Sequence, residues 1–134
     1  MMRYQPEMQR LRADLRSSTD PLGELNAYVQ RLDVPALVTD DAAKYVAAND
    51  AGSALTGYPT EELVTLTVND LTPAPHGVDF NKLWMDFVQA GSQKGEYEIR
   101  RRDGSIVQVT YEAYANVAPG LHVSFPTVRR PAIS

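Results

Sequence analysis

Cysteine is absent from this 134-residue chain. Disulfides, thiolate nucleophiles and cysteine-ligated metals are excluded with it. The absence also suits a reducing compartment. Long hydrophobic runs are missing too. No stretch approaches the roughly 20 apolar residues that a bilayer-spanning helix needs, and the N-terminus has no hydrophobic signal core. The expectation is a cytoplasmic protein with no membrane partner. A surplus of basic residues is lacking as well: 13 Lys and Arg stand against 17 Asp and Glu, a net charge of −4. A nucleic-acid partner is therefore not expected, since such domains carry a basic face. Arginines gather before Asp33 and at 100–102, without the interleaved aromatics of a base-stacking surface. The run Arg100, Arg101, Arg102 reads as a solvated hairpin end.

Catalytic signatures are equally scarce. The two histidines are His76 and His122. His76 sits in a proline-flanked loop, and His122 alternates out of phase with Leu121 and Val123, so both read as loop or surface residues. No histidine pair or histidine–carboxylate cluster stands at ligand spacing, and no metal is expected. Asp40-Asp41 end a strand, and Glu61-Glu62 lie in a helix's first turn, where they favour the macrodipole. Glu96 and Glu98 add strand carboxylates without a partner set. There is no Ser/His/Asp arrangement, phosphate loop or kinase-type ATP site. An enzyme is not expected.

What is present suits one domain with a real core: 43% of residues are hydrophobic and 22% charged. Met8, Leu11, Leu15, Ser18, Leu22, Leu25, Val29 and Leu32 recur at alternating spacings of three and four, a helical stripe close to a heptad seam. Pro21 interrupts it, and Asp20 before it is a suitable N-cap. The reading is two helices, over 7–17 and 21–32, closed by Pro35.

From Ala36 the period changes. Residues 36–39 and 45–48 read as a strand hairpin. Asn49 or Asp50 caps a helix over 51–56 that ends at Gly57. Thr60 caps a short turn ending at Leu63, and 69–71 form another. The prolines and glycine of 72–77 mark a loop. Val78, Phe80, Leu83, Trp84, Phe87 and Val88 give a helix over 78–90 a broad apolar face, and Gly91 ends it. Residues 97–101 lead through the turn pair Asp103-Gly104 into a return strand. There Val107, Val109, Tyr111, Ala113, Ala115 and Val117 alternate with Gln108, Thr110, Glu112, Tyr114 and Asn116, predicting one buried and one wetter face. After Pro119-Gly120, Leu121, Val123 and Phe125 alternate in a final strand. Five strands without a βαβ rhythm predict an α+β fold, an antiparallel sheet with helices gathered on one face.

In order and spacing, the segments ALVTDD, YVAANDAGSALTGYPTEEL, NDLTP, FNKLWMDFVQAG, GEYEIRRRDGSIVQV and GLHVSF resemble the PAS family over residues 35–125. One departure is Ala42-Ala43, where the family often has a glycine in the first hairpin. The resemblance implies a five-stranded antiparallel sheet cupped over short helices, with a cavity between. It divides the chain into an N-terminal helical extension (1–33), a PAS domain (34–128) and a frayed tail (129–134).

It also implies sensing or signalling, through a small molecule, a cofactor or a protein partner. The cavity residues it implies are Asn49, Leu83, Trp84 and Phe87 from the helical side, and Ile99, Val109, Tyr111, Ala113, Val123 and Phe125 from the strands. Asn49 has a second reading, as the cap of the helix that follows it. A flavin–cysteine photoadduct and any cysteine-linked chromophore are excluded. Non-covalent flavin stays open, with Trp84 and Phe87 flanking the ring and Tyr111 facing it; the other reading of these aromatics is core filling. Haem is not expected, because neither histidine lies on the long helix.

For the N-terminal stripe, Leu11, Leu15, Leu22, Leu25, Val29 and Leu32 either form a two-fold homodimer seam or cover the chain's own sheet, where Ile106 and Tyr114 offer an apolar landing place. The homodimer is the expectation, with signalling in trans to a partner protein. The alternatives are a PAS interaction or dimerisation module that binds no ligand, and a fragment of a sensor histidine kinase or transcriptional regulator.

Overall fold

The computed structural model describes residues 2–73 and 80–129. Its elements in chain order are α1 (Gln5–Arg16), α2 (Pro21–Gln30), β1 (Leu37–Thr39), β2 (Tyr45–Ala48), α3 (Asp50–Thr56), α4 (Thr60–Leu63), a 3₁₀ turn (Val68–Leu71), α5 (Phe80–Ala90), β3 (Ser92–Arg100), β4 (Ile106–Ala118) and β5 (Leu121–Val128). The strands form one antiparallel sheet in the order β2-β1-β5-β4-β3. Residues 74–77 of the expected loop, with His76, lie outside the described residues, as do Val78 at the start of the expected long helix and 130–134 of the tail.

Local chemistry sets the element ends. The Asp20 carboxylate accepts from the Gly23 amide and starts α2 behind Pro21. The Asn49 side chain accepts from the Gly52 amide and starts α3, which ends at Gly57 in the left-handed region, φ 78°. Thr67 and Asp70 form a reciprocal capping box around the 3₁₀ turn. At α4 the cap position falls on Pro59, so Thr60 is the first helical residue rather than the expected cap.

Both faces of the sheet are covered. On one side, α1 and α2 bury Met8, Leu11, Leu15, Leu25 and Val29 against Val38, Tyr114, Val117, Val123 and Phe125. Each such side chain contributes roughly 1.5–3 kcal/mol of transfer free energy. The seam expected between two copies is thus largely occupied within one chain. Leu22 stays exposed and Leu32 is half-buried beside the cluster. Polar ties fix the same docking. Arg12 donates to the carbonyls of Gly91, just after α5, and Ala115 on β4. The Tyr4 amide and the Tyr114 hydroxyl both donate to Glu112. Burial would raise the Glu112 carboxyl, but those hydrogen bonds outweigh it and hold it below the ordinary carboxylate range.

One expectation about burial and one about side-chain direction are overturned. Tyr114, expected on the wetter face, is fully buried under α1 and meets Phe125 edge to face. Val117, expected beside Val107 through Ala115, joins the opposite cluster. Tyr114 keeps the face it shares with Glu112 and is buried because α1 lies over that face. The reversal at Val117 comes from a bulge: Asn116 sits at φ 52°, and the β4–β5 register shifts between Tyr114 and Ala118. One extra residue reverses which face the following side chains take.

The other face carries α3, α4, the 3₁₀ turn and α5 over Leu37, Tyr45, Ile99 and Val109, with Phe87 on Ala113 and Ala115. Of the three arginines at the β3–β4 tip, Arg100 and Arg102 are exposed as expected, and all three also act as cross-links. Arg100 donates to the Asp70 carbonyl, Arg101 to the Leu55 carbonyl, and Arg102 to both carboxylate oxygens of Glu62. They fasten the β3–β4 hairpin to the helical layer.

Candidate functional site

Between that helical layer and the sheet lies a cavity of about 590 Å³. Its floor follows from strand pairing. Tyr45 on β2 is opposite Thr39 on β1, and Thr39 is opposite His122 on β5. Cross-strand partners share a face, so these three side chains form a row. Leu37 and Ser124 form the next row. Ile99, Val109 and Ala113 continue the floor onto β3 and β4, and Leu83, Trp84 and Phe87 of α5 form the wall.

The structure brings most of the sequence-predicted residues to this space: Leu83, Trp84, Phe87, Ile99, Val109, Tyr111, Ala113 and Val123 all line it. Asn49 and Phe125 are not among its lining residues. Phe125 lies on the opposite face, stacked on Tyr4 with ring centroids 4.1 Å apart. Val123 also belongs to that opposite cluster. The expected phase of β5 is therefore inverted, and His122, Ser124 and Pro126 line the cavity instead. Alternation gives two faces but does not say which one meets the cavity when both are covered.

Asn49 does act as the cap, and more. It is 1% exposed. Its Oδ1 accepts from the amides of Gly52 (2.8 Å) and Ala36 (3.0 Å). Its Nδ2 donates to the carbonyls of Val29 (3.0 Å) and Val34 (2.7 Å). One side chain thereby joins the end of α2, the approach to β1 and the start of α3. Gly52 belongs to the same junction, since a Cβ there would come within 2.9 Å of the Ala36 carbonyl oxygen.

His122, expected at the surface, is 1% exposed. Its ring meets Trp84 edge-on at 5.6 Å and Phe87 at 6.0 Å. Nδ1 accepts from the Asn116 amide (2.9 Å), so the ring proton is on Nε2, which donates to Asp41 Oδ1 (2.8 Å). Neither nitrogen is left for a metal. Trp84 Nε1 donates to the Asp41 carbonyl (3.0 Å), so Asp41 holds two members of the wall.

Sequence reasoning also missed Thr39, Tyr45 and Tyr97 as lining residues. The hydroxyls of Tyr97 and Thr72 are hydrogen-bonded, and Tyr111 donates to Gln93 Oε1 (3.1 Å). Burial raises the phenol pKa of Tyr45, Tyr97 and Tyr111 above the ordinary tyrosine value; at Tyr97 the Thr72 hydrogen bond opposes it. The lining therefore offers hydrocarbon, aromatic faces and neutral hydroxyls, with amides and the charged Glu96, Glu98 and Arg129 besides. Among the described residues, no group of three or more metal-ligating side chains is gathered, and no helix is long and apolar enough to cross a membrane.

Three comparisons place this geometry. A family model described as the PAS fold matches residues 23–119. No curated protein is a significant match. Among solved structures, the PAS domain of a two-component sensor histidine kinase is 18% identical, with a TM-score of 0.64 over 80% of this chain and 95% of that one. The PAS domain of an HTR-like protein from Haloarcula marismortui is 18% identical, with a TM-score of 0.65 over 92% and 99%. A LOV protein from Rhodobacter sphaeroides is 14% identical, with a TM-score of 0.66 over 79% of this chain and 65% of that one. At these identities the structural likeness is one of fold. The family model spans well over half of the sequence, and the chain belongs to the PAS fold family.

Proposed function

We propose that this protein is a ligand-sensing signalling module rather than an interaction module with a self-filled core. The observation that carries the reading is the cavity itself. About 590 Å³ lies within the range of small-molecule sites. Leu83 on the cavity wall is 52% exposed.

A route outward is built in. The cavity wall α5 runs into Gly91, whose carbonyl accepts from both Arg12 on α1 and the Ala115 amide on β4. A shift of α5 on ligand binding changes the seat of α1, which presents the result to a partner protein in trans. Homodimerisation through the N-terminal seam is not needed in this reading, because its apolar side chains already cover the chain's own sheet. A cysteine–flavin adduct is excluded by composition.

Native mass spectrometry and an absorption spectrum of the purified protein test the reading. A retained small-molecule mass or a chromophore band supports it. A protein that is ligand-free and takes up nothing from a small-molecule library would sink it.

A further inference from the structure

The cavity's polar inventory narrows what it accepts. The charged side chains among its described lining residues are Glu96, Glu98 and Arg129. Arg129 is paired with Glu96 at 2.8 Å, both half-exposed or more. Glu98 is itself engaged. His122 has both nitrogens occupied in its neutral form. Among the described residues, no buried cation waits on the floor for a carboxylate or phosphate. An anion buried there without a partner would lose several kcal/mol of solvation with nothing to replace it.

The floor does hold open hydrogen-bonding groups. Among the described residues, every side-chain polar atom fully sealed from solvent has a hydrogen-bond partner. The hydroxyls of Thr39 and Tyr45 have no such partner among those residues, although the two side chains are 6% and 4% exposed. They are thus open to the cavity rather than shut in its wall. The two residues are paired across β1 and β2, and Thr39 is paired in turn with His122, whose ring meets Trp84 and Phe87; all five line the cavity.

We infer that the cavity takes an uncharged, ring-bearing, mainly apolar ligand whose single polar group bonds to the Thr39 and Tyr45 hydroxyls while its ring lies against Trp84 and Phe87. This rests on the sensor reading above and specifies its ligand class.

Three matched probes test it by fluorescence titration of the full chain: 9-anthracenemethanol, 9-methylanthracene and anthracene-9-carboxylate. The alcohol binds, and the carboxylate binds about tenfold more weakly or worse. Tyr45→Phe keeps the ring and the fold, weakens the alcohol about fivefold, and leaves 9-methylanthracene within about twofold. A carboxylate that binds as well as the alcohol overturns the ligand class and leaves the sensor reading intact. An alcohol affinity unmoved by Tyr45→Phe and by Thr39→Val overturns the placement. Failure of all three probes to bind overturns this inference, whereas the sensor reading falls only if the native mass spectrum and the library screen also show nothing bound.

Discussion

Replacing Asn49 removes more than a helix cap. In Asn49→Ala the N-cap bond to the Gly52 amide is lost, which costs about 0.5–2 kcal/mol. The Ala36 amide and the Val34 carbonyl also lose the Asn49 partner, and each group so stranded costs roughly 1–3 kcal/mol. The Val29 carbonyl still accepts from the Leu32 amide, so its loss adds less. The expected total is about 2.5–8 kcal/mol, a large share of the 5–15 kcal/mol typical of a domain. Asn49→Asp is the discriminating variant, because Asp caps helices as well as Asn does. Here its second oxygen would face the Val29 and Val34 carbonyls, acceptor against acceptor, with a buried charge. It should therefore be about as damaging as alanine. Urea denaturation followed by circular dichroism reads both variants. An Asn49→Asp protein within about 1 kcal/mol of the parent would refute the junction argument and reduce Asn49 to a cap.

Further outcomes follow from the same geometry. Leu25 is fully buried under the sheet, so Leu25→Asp should cost about 4 kcal/mol or more, with a denaturation midpoint independent of protein concentration. A midpoint that rises with concentration would show instead that the seam is shared between copies. Arg12→Met keeps the hydrocarbon stem but loses both carbonyl bonds, and should cost about 1–3 kcal/mol and speed amide exchange across α1. Unchanged exchange in α1 would remove Arg12 from the proposed route. Tyr45, Tyr97 and Tyr111 are held neutral above the ordinary phenol value, chiefly by burial. A raised folded pKa contributes stability that is complete below about pH 10 and is lost as pH climbs through the folded values. The urea midpoint should fall steadily above that pH, less steeply in Tyr45→Phe, and a flat profile would contradict the burial of these phenols.

Which parts of this architecture are legible in the sequence depends on how far apart the cooperating residues stand. Asp20 before Pro21, Asn49 before a small-residue helix and Asp103-Gly104 between two strands each settle a local backbone choice within a few neighbours. The structure has the cap bonds and a left-handed Gly104 at φ 88° where those signals stand. His122 and Phe125 could not be placed that way. Alternation separates them onto two faces, but the choice of face depends on α1, more than 100 residues away, lying over Phe125 through Tyr4. The bulge at Asn116 is a similar case. Its left-handed backbone is supported by the Gly120 amide donating to Asn116 Oδ1 and the Asn116 amide donating to His122 Nδ1. Asparagine tolerates that conformation better than most residues, yet in the sequence it reads as one more polar position in a strand. The arginines at 100–102 look like a charge run until α3, α4 and the 3₁₀ turn supply their acceptors. For the same reason the ligand chemistry of the cavity was not readable in advance. Thr39, Tyr45 and His122 lie on three strands, and only the β2-β1-β5 order sets them in one row.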